Sequence, residues 1–145
     1  MKTPSACNFE SEFLVRDYEV DMFGVVNHAV YLHYLEHTRH EFLKSLGTDA
    51  AKMQQEGYNL VVTHLEIDYK LPLRSGDHFT SRLAVSAVTR VRFVFFQALY
   101  NESLTLTTSA KIEGTSILPN GRPGIPAEFR DALLDCIAEQ KAIAS

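Results

Sequence analysis

Arg16 to Gly47 reads RDYEVDMFGVVNHAVYLHYLEHTRHEFLKSLG, a polar, acidic run that passes through a glycine and becomes a long stretch of helical periodicity. Tyr31, Leu35, Thr38, Phe42 and Leu46 recur on one helical face, Tyr34 and Leu43 widen it, and Glu36, Arg39, His40 and Lys44 fall away from its centre. The spacing predicts a helix from about His28 to Leu46, with Asn27 offering a side-chain oxygen as its cap and Gly47 stopping it. At about five turns such a helix is longer than average, and its wide apolar stripe needs a broad partner such as the concave face of a sheet.

Upstream, Phe9, Ser11, Phe13 and Val15 alternate with period two, which predicts a strand delivering the chain to Arg16. The run RDYEVD breaks that pattern, and Gly24 permits backbone geometry closed to other residues just before the helix. Downstream, Thr48 can cap a short helix, Asp49 to Gln55, that ends at Gly57. Alternation then resumes from His64 to Tyr69, and from Phe79 through Ser81, Leu83, Val85 and Ala87, with Pro72, Ser75 and Gly76 turning the chain between them. Arg92 to Tyr100 and Leu104 to Leu118 predict two further strands joined at Asn101-Glu102-Ser103. Pro119 to Pro123, PNGRP, suits a brief hairpin, and Pro126 opens a terminal helix with Phe129, Leu133, Cys136 and Ile137 inward. One long helix followed by four or five strands on short connections makes an α+β domain, a single unit over 1–145 with an antiparallel sheet wrapped around the helix. The two edges of such a sheet invite pairing between copies, so a dimer at least is expected.

Composition narrows the function. A chain of 145 residues with 46% hydrophobic residues can bury one sizeable core without staples. Its net charge of −4 argues against a dedicated nucleic-acid binder. Cys7 and Cys136 have neither disulfide-framework nor metal spacing and fit a reducing cytoplasm. The N-terminal MKTPSACNFESEF predicts no secretory signal, and no stretch approaches the roughly 20 apolar residues of a membrane span.

The chemistry is concentrated at the helix entrance. Asp21 stands three residues before Gly24, beside backbone N–H groups that have no helical acceptor. A carboxylate next to such donors can present an oxygen nucleophile or base to an acyl carbonyl whose oxygen the N–H groups polarise. The bland alternatives are a turn role for Asp21 and a plain cap for Asn27. Glu36 and Arg39, three apart, read most simply as an ion pair. His33 and His37, four apart, lack a third partner for a metal, so no metal site is expected. Phe93, Phe95 and Phe96 suit either an acyl tunnel or plain core, and Arg74, Arg90, Arg92 and Arg122 either hold phosphates or are ordinary surface arginines.

The run DYEVDMFGVVNHAVYLHYLEHTRHEFLKSLG resembles the active-site loop and central helix of hot-dog-fold thioesterases of the 4-hydroxybenzoyl-CoA thioesterase family. LPLRSGDHF at Leu71 to Phe79 and IPAEFR at Ile125 to Arg130 are similar to the branch containing plant plastid acyl-ACP thioesterases and their bacterial relatives. The resemblance implies a hot-dog subunit that pairs into dimers and tetramers, and hydrolysis of an acyl-CoA or acyl-ACP thioester to free acid and thiol. No cofactor is implied, CoA or phosphopantetheine arriving as part of the substrate. Asp21 takes the place of the family's catalytic aspartate, and the N–H groups near Gly24, Val25 and Val26 would face the thioester oxygen, with His28 and Tyr31 close enough to touch substrate. Asn27 departs from the aromatic residue of many bacterial relatives. In a branch that lacks the acid, an asparagine and a helix arginine matter, which adds Asn27 and Arg39 to the candidates; other branches use a helix glutamate, which adds Glu36. The alternatives are a noncatalytic acyl-thioester or carrier-docking module, which intact Asp21 and Gly24 argue against, and a hot-dog dehydratase using His28.

Overall fold

The alternating stretches of the second half join the first strand in one antiparallel sheet, seen in a computed structural model that describes residues 8–47 and 50–144. In chain order the elements are β1 (Phe9–Leu14), a single 3-10 turn (Asp17–Glu19), α1 (Val30–Ser45), α2 (Ala50–Gln55), β2 (Asn59–Tyr69), β3 (His78–Val88), β4 (Phe93–Asn101), β5 (Leu106–Ile117) and α3 (Ala127–Ala144). The strands lie in the order β1-β3-β4-β5-β2, so β1 and β2 form the edges. No helix among the described residues is long and apolar enough to cross a membrane.

α1 lies across the sheet. Tyr31, Tyr34, Leu35, Thr38, Phe42 and Leu43 are its buried residues, the face that the periodicity marks. Toward the start of α1 this face packs with Val15, Val26, Leu73, Phe79, Leu99, Ala110 and Ile112. Toward its end it meets Leu83 and Val85 of β3, Phe93 and Phe95 of β4, and Phe129, Leu133 and Cys136 of α3. A polar stitch joins helix to sheet in the core: Thr38 Oγ1 lies 2.8 Å from Ser81 Oγ and also donates to Tyr34 O. Both residues are fully buried, and with the Thr38 hydrogen given to Tyr34 O, Ser81 donates its own to Thr38 Oγ1.

Three expectations are corrected. The helix begins at Val30 rather than His28, and its geometric cap, Ala29, carries no side-chain cap bond; Asn27 instead closes a turn just upstream, its Oδ1 accepting Ala29 N–H at 2.8 Å. The alternation beginning at His64 catches only the second half of β2, because a register shift between Val62 and His64 interrupts the pattern. Glu36 and Arg39 form no ion pair: Glu36 lies 3.8 Å from His40, while Arg39 Nη1 donates to Gln97 Oε1 at 3.0 Å. The capping role expected of Thr48 and the start of its helix at Asp49 lie outside the described residues. At the other end of α1, Gly47 adopts φ +80 after the last turn, the left-handed stop expected there.

Candidate active site

The loop between β1 and α1 is a tight hairpin tied into the sheet. Val20 and Val26 form a bridge, Asp21 N–H donates to Val25 O at 2.8 Å, and Gly24 N–H donates to Asp21 O at 3.0 Å. Gly24 sits at φ +77 with open space where a Cβ would go, so backbone conformation alone demands glycine. From outside the loop, Val26 N–H reaches Leu73 O at 2.8 Å, and the Tyr31 hydroxyl accepts Leu73 N–H at 3.3 Å. Leu73 is thus a clasp that fixes the loop to the first turn of α1.

Within that frame Asp21 Oδ1 accepts Phe23 N–H at 2.8 Å, which leaves Oδ2 without a protein donor among the described residues. The carboxylate therefore serves the turn with one oxygen and leaves the other unpaired by the protein among the described residues. The N–H groups divide the same way. Gly24 and Val26 spend theirs on Asp21 O and Leu73 O, Asn27 on Glu19 O, and Ala29 on Asn27 Oδ1. Val25 and His28 have N–H groups with no protein acceptor among the described residues, so of the three donors expected at the carbonyl, Val25 is the one free to bond it.

An open cleft of about 340 Å³ gathers these groups. Asp21, Val25, Val26, His28 and Tyr31 line it, together with four residues that the sequence did not single out as site residues, Tyr69, Lys70, Leu71 and Pro72. Tyr69 donates its hydroxyl to His28 O at 2.8 Å and packs edge-on against Tyr31, ring centres 5.1 Å apart. Burial raises the pKa of Tyr31, an effect that the Leu73 N–H partly offsets, and burial also raises that of Tyr69. Both stay neutral hydroxyls at physiological pH, suited to position the loop rather than to carry charge.

The other candidates sit elsewhere. Gly24 and Asn27 shape the loop without lining the cleft. Glu36 and Arg39 line a separate cavity farther along α1, with Phe93 and Phe95 in its wall. Phe96, half-buried, lines neither. His37 packs edge-on against Phe13, and no three metal-ligating side chains converge among the described residues. None of Arg74, Arg90, Arg92 and Arg122 borders the cleft, and Arg92 lies 3.8 Å from Glu113; Lys70 is the cation that does border it.

Comparison with known proteins gives the arrangement a context. A sequence profile of the thioesterase-like superfamily matches residues 15–134. The chain is 43% identical over 91 residues to the chloroplastic acyl-acyl carrier protein thioesterase ATL2 of Arabidopsis thaliana, a match covering 63% of this chain and 48% of that protein. It is 35% identical over 98 residues to the acyl-CoA thioesterase YbgC of Haemophilus influenzae, covering 66% and 72% respectively. The crystal structure of a hypothetical protein from Aquifex aeolicus superposes with a TM-score of 0.82 at 31% identity, covering 86% of this chain and 98% of that one. The chain spans about half the length of the plant relatives it matches.

Proposed function

The chain belongs to the thioesterase-like superfamily, and from that premise we propose that it hydrolyses an acyl-CoA or acyl-ACP thioester to the free acid and thiol, with Asp21 as the reacting carboxylate. The observation that carries this reading is that Asp21 and Val25 line one open cleft while Asp21 Oδ2 and the Val25 N–H have no protein partner among the described residues. Aspartate Oδ2 is the oxygen available to attack the carbonyl carbon or to take a proton from an attacking water. Val25 N–H, joined by that of His28, donates to the carbonyl oxygen as negative charge develops there; losing one such donor typically costs on the order of a hundredfold in rate. The tetrahedral intermediate expels the thiolate, which leaves as the thiol after taking a proton. Where water attacks, the free acid forms directly; where Asp21 attacks, the resulting acyl anhydride is hydrolysed by a water. The clasp at Leu73 and the Tyr69 hydroxyl keep the donors in place. This chemistry requires no cofactor.

Self-association belongs to the same reading. The outer strand β2 leaves Val61 and Val62 38% and 47% exposed, and an apolar strand edge is covered most simply by a second copy, with dimers pairing into a tetramer. A free, buried Cys136 suits residence in the cytoplasm.

The test is free-thiol release from a panel of CoA and ACP thioesters of varied chain length, including a β-hydroxyacyl thioester followed also for enoyl formation. Turnover to free acid supports the reading. Binding without turnover of any member points to a docking module, and enoyl product without thiol to a dehydratase.

A further inference from the structure

Tyr34 carries a hydroxyl for which the reaction has no direct use. Its ring is core: it is 4% exposed and packs against Phe13, Phe79 and Tyr31, with ring centres 5.5, 4.8 and 6.1 Å away. The oxygen at its tip is buried as well and has no hydrogen-bond partner of good geometry among the described residues. A phenylalanine would fill the same space without leaving a hydroxyl stripped of its bonds to water. The polar side chain that faces this hydroxyl is Glu19. Burial raises the Tyr34 pKa most, and the neighbouring Glu19 charge raises it further. The hydroxyl therefore keeps its proton and presents it to a carboxylate.

Glu19 is placed to pass that contact on to the reacting loop. Half-buried at the end of the 3-10 turn, it caps the turn reciprocally with Arg16: Glu19 N–H donates to Arg16 O at 3.0 Å, and Glu19 Oε1 accepts Arg16 N–H at 2.8 Å. One carboxylate oxygen is thus taken, which leaves Oε2 for Tyr34. From the backbone of Glu19 a short ladder runs to the site. Glu19 O accepts Asn27 N–H at 3.0 Å, Val20 and Val26 form the bridge that follows, and Asp21 N–H donates to Val25 O at 2.8 Å. The last rung joins the residues that supply the carboxylate and the free N–H. Of the two arms of this hairpin, Leu73 ties the one that carries Val26 to Tyr31 in the first turn of α1. Tyr34 stands one turn further along the helix, on the side of the arm that carries Asp21.

Resting on the thioesterase reading, we propose that Glu19 is a positioning residue of the site: its carboxylate takes the Tyr34 hydroxyl in a charge-assisted hydrogen bond, and this tether holds the Asp21 arm of the hairpin against α1 as the Leu73 clasp holds the other. The tether touches no reacting atom. It acts through the ladder on the spacing of the Asp21 carboxylate and the Val25 N–H, so its loss belongs in kcat rather than in KM.

The test is steady-state thiol release by Tyr34→Phe, Glu19→Ala, the double variant and Glu19→Gln, with thermal midpoints confirming that each is folded. Each of the first two should lower kcat by roughly tenfold with KM changed less than about twofold. The double variant should be no slower than the slower single, because both substitutions remove one bond. Glu19→Gln, which keeps an oxygen able to accept, should recover part of the loss. Full kcat in Tyr34→Phe, or losses that multiply in the double variant, overturns the proposal. Amide exchange of Asp21 and Asn27 N–H, which close the hairpin, reads the tether without substrate. It should quicken in both single variants, and exchange unchanged from wild type overturns the proposal. Failure of the thioesterase reading looks different: wild type would cleave no thioester, while exchange would still respond to Tyr34→Phe and uphold the tether.

Discussion

Between Asp21 and Asn27 most contacts are backbone hydrogen bonds to residues nearby in sequence: Asp21 to Val25, Gly24 to Asp21, Phe23 to the Asp21 side chain, Asn27 to Glu19. Between Tyr31 and Leu43, on the inner face of α1, the contacts are side chains packed on distant strands, as in Thr38 against Ser81 and Leu35 O against Gln97. The loop is exposed at Met22 to Gly24 and half-buried on either side except for buried Val26, and the helix face is buried. The difference separates the two things a substitution can damage. Changes on the inner face should cost stability first, because each side chain there removes apolar surface from water. Changes in the loop should cost catalysis with little loss of stability, because what they disturb is the placing of a few donors and one carboxylate.

The largest stability effect is expected from Leu35→Ala. Leu35 is 0% exposed, and truncating such a side chain typically costs about 2–5 kcal/mol. Denaturant unfolding measures it, and residual activity well below the midpoint should remain near wild type per folded molecule. A comparable collapse in turnover by folded molecules would break the separation. Gly24→Ala should show the reverse pattern. Its φ of +77 imposes a penalty of about 1–2 kcal/mol on any side chain, with no clash to add, while a shift of the neighbouring Val25 N–H lowers kcat by more than the lost stability accounts for. Tyr31→Phe sharpens the boundary, since Tyr31 belongs to both regions. Loss of the hydroxyl leaves Leu73 N–H without its acceptor at a cost of about 1 kcal/mol. Because Leu73 O holds Val26, a rise of a few fold in KM should accompany it. A change in stability with no kinetic change would show that the clasp does not reach the cleft.

The same contrast explains what was legible in the sequence. The inner face of α1 announces itself by period, and β3, β4 and β5 by alternation, so an α+β domain with an antiparallel sheet around a long helix follows from the residues alone. The loop side of the cleft is equally readable, since Asp21, Val25, Val26 and His28 are neighbours in the chain. Its opposite wall, Tyr69 to Pro72, is not, because only the path of β2 past α1 brings it near. Arg39 shows the same limit. On a helical wheel it flanks the apolar stripe beside Glu36, which suggests an exposed pair, but Gln97, 58 residues away, draws it inward. The first half of β2 escaped notice for a local reason, the bulge that interrupts its alternation.

The central claim is that the loop reacts and the helix supports. Asp21→Asn tests it most directly, since it keeps the oxygen that accepts Phe23 N–H and removes the charge. Single-turnover thiol release on the best substrate of the panel, with thermal unfolding of the same preparation, is the measurement. The expected result is a fall in rate of about a hundredfold or more at an unchanged midpoint. Wild-type turnover by Asp21→Asn would contradict the account and move the reacting carboxylate elsewhere.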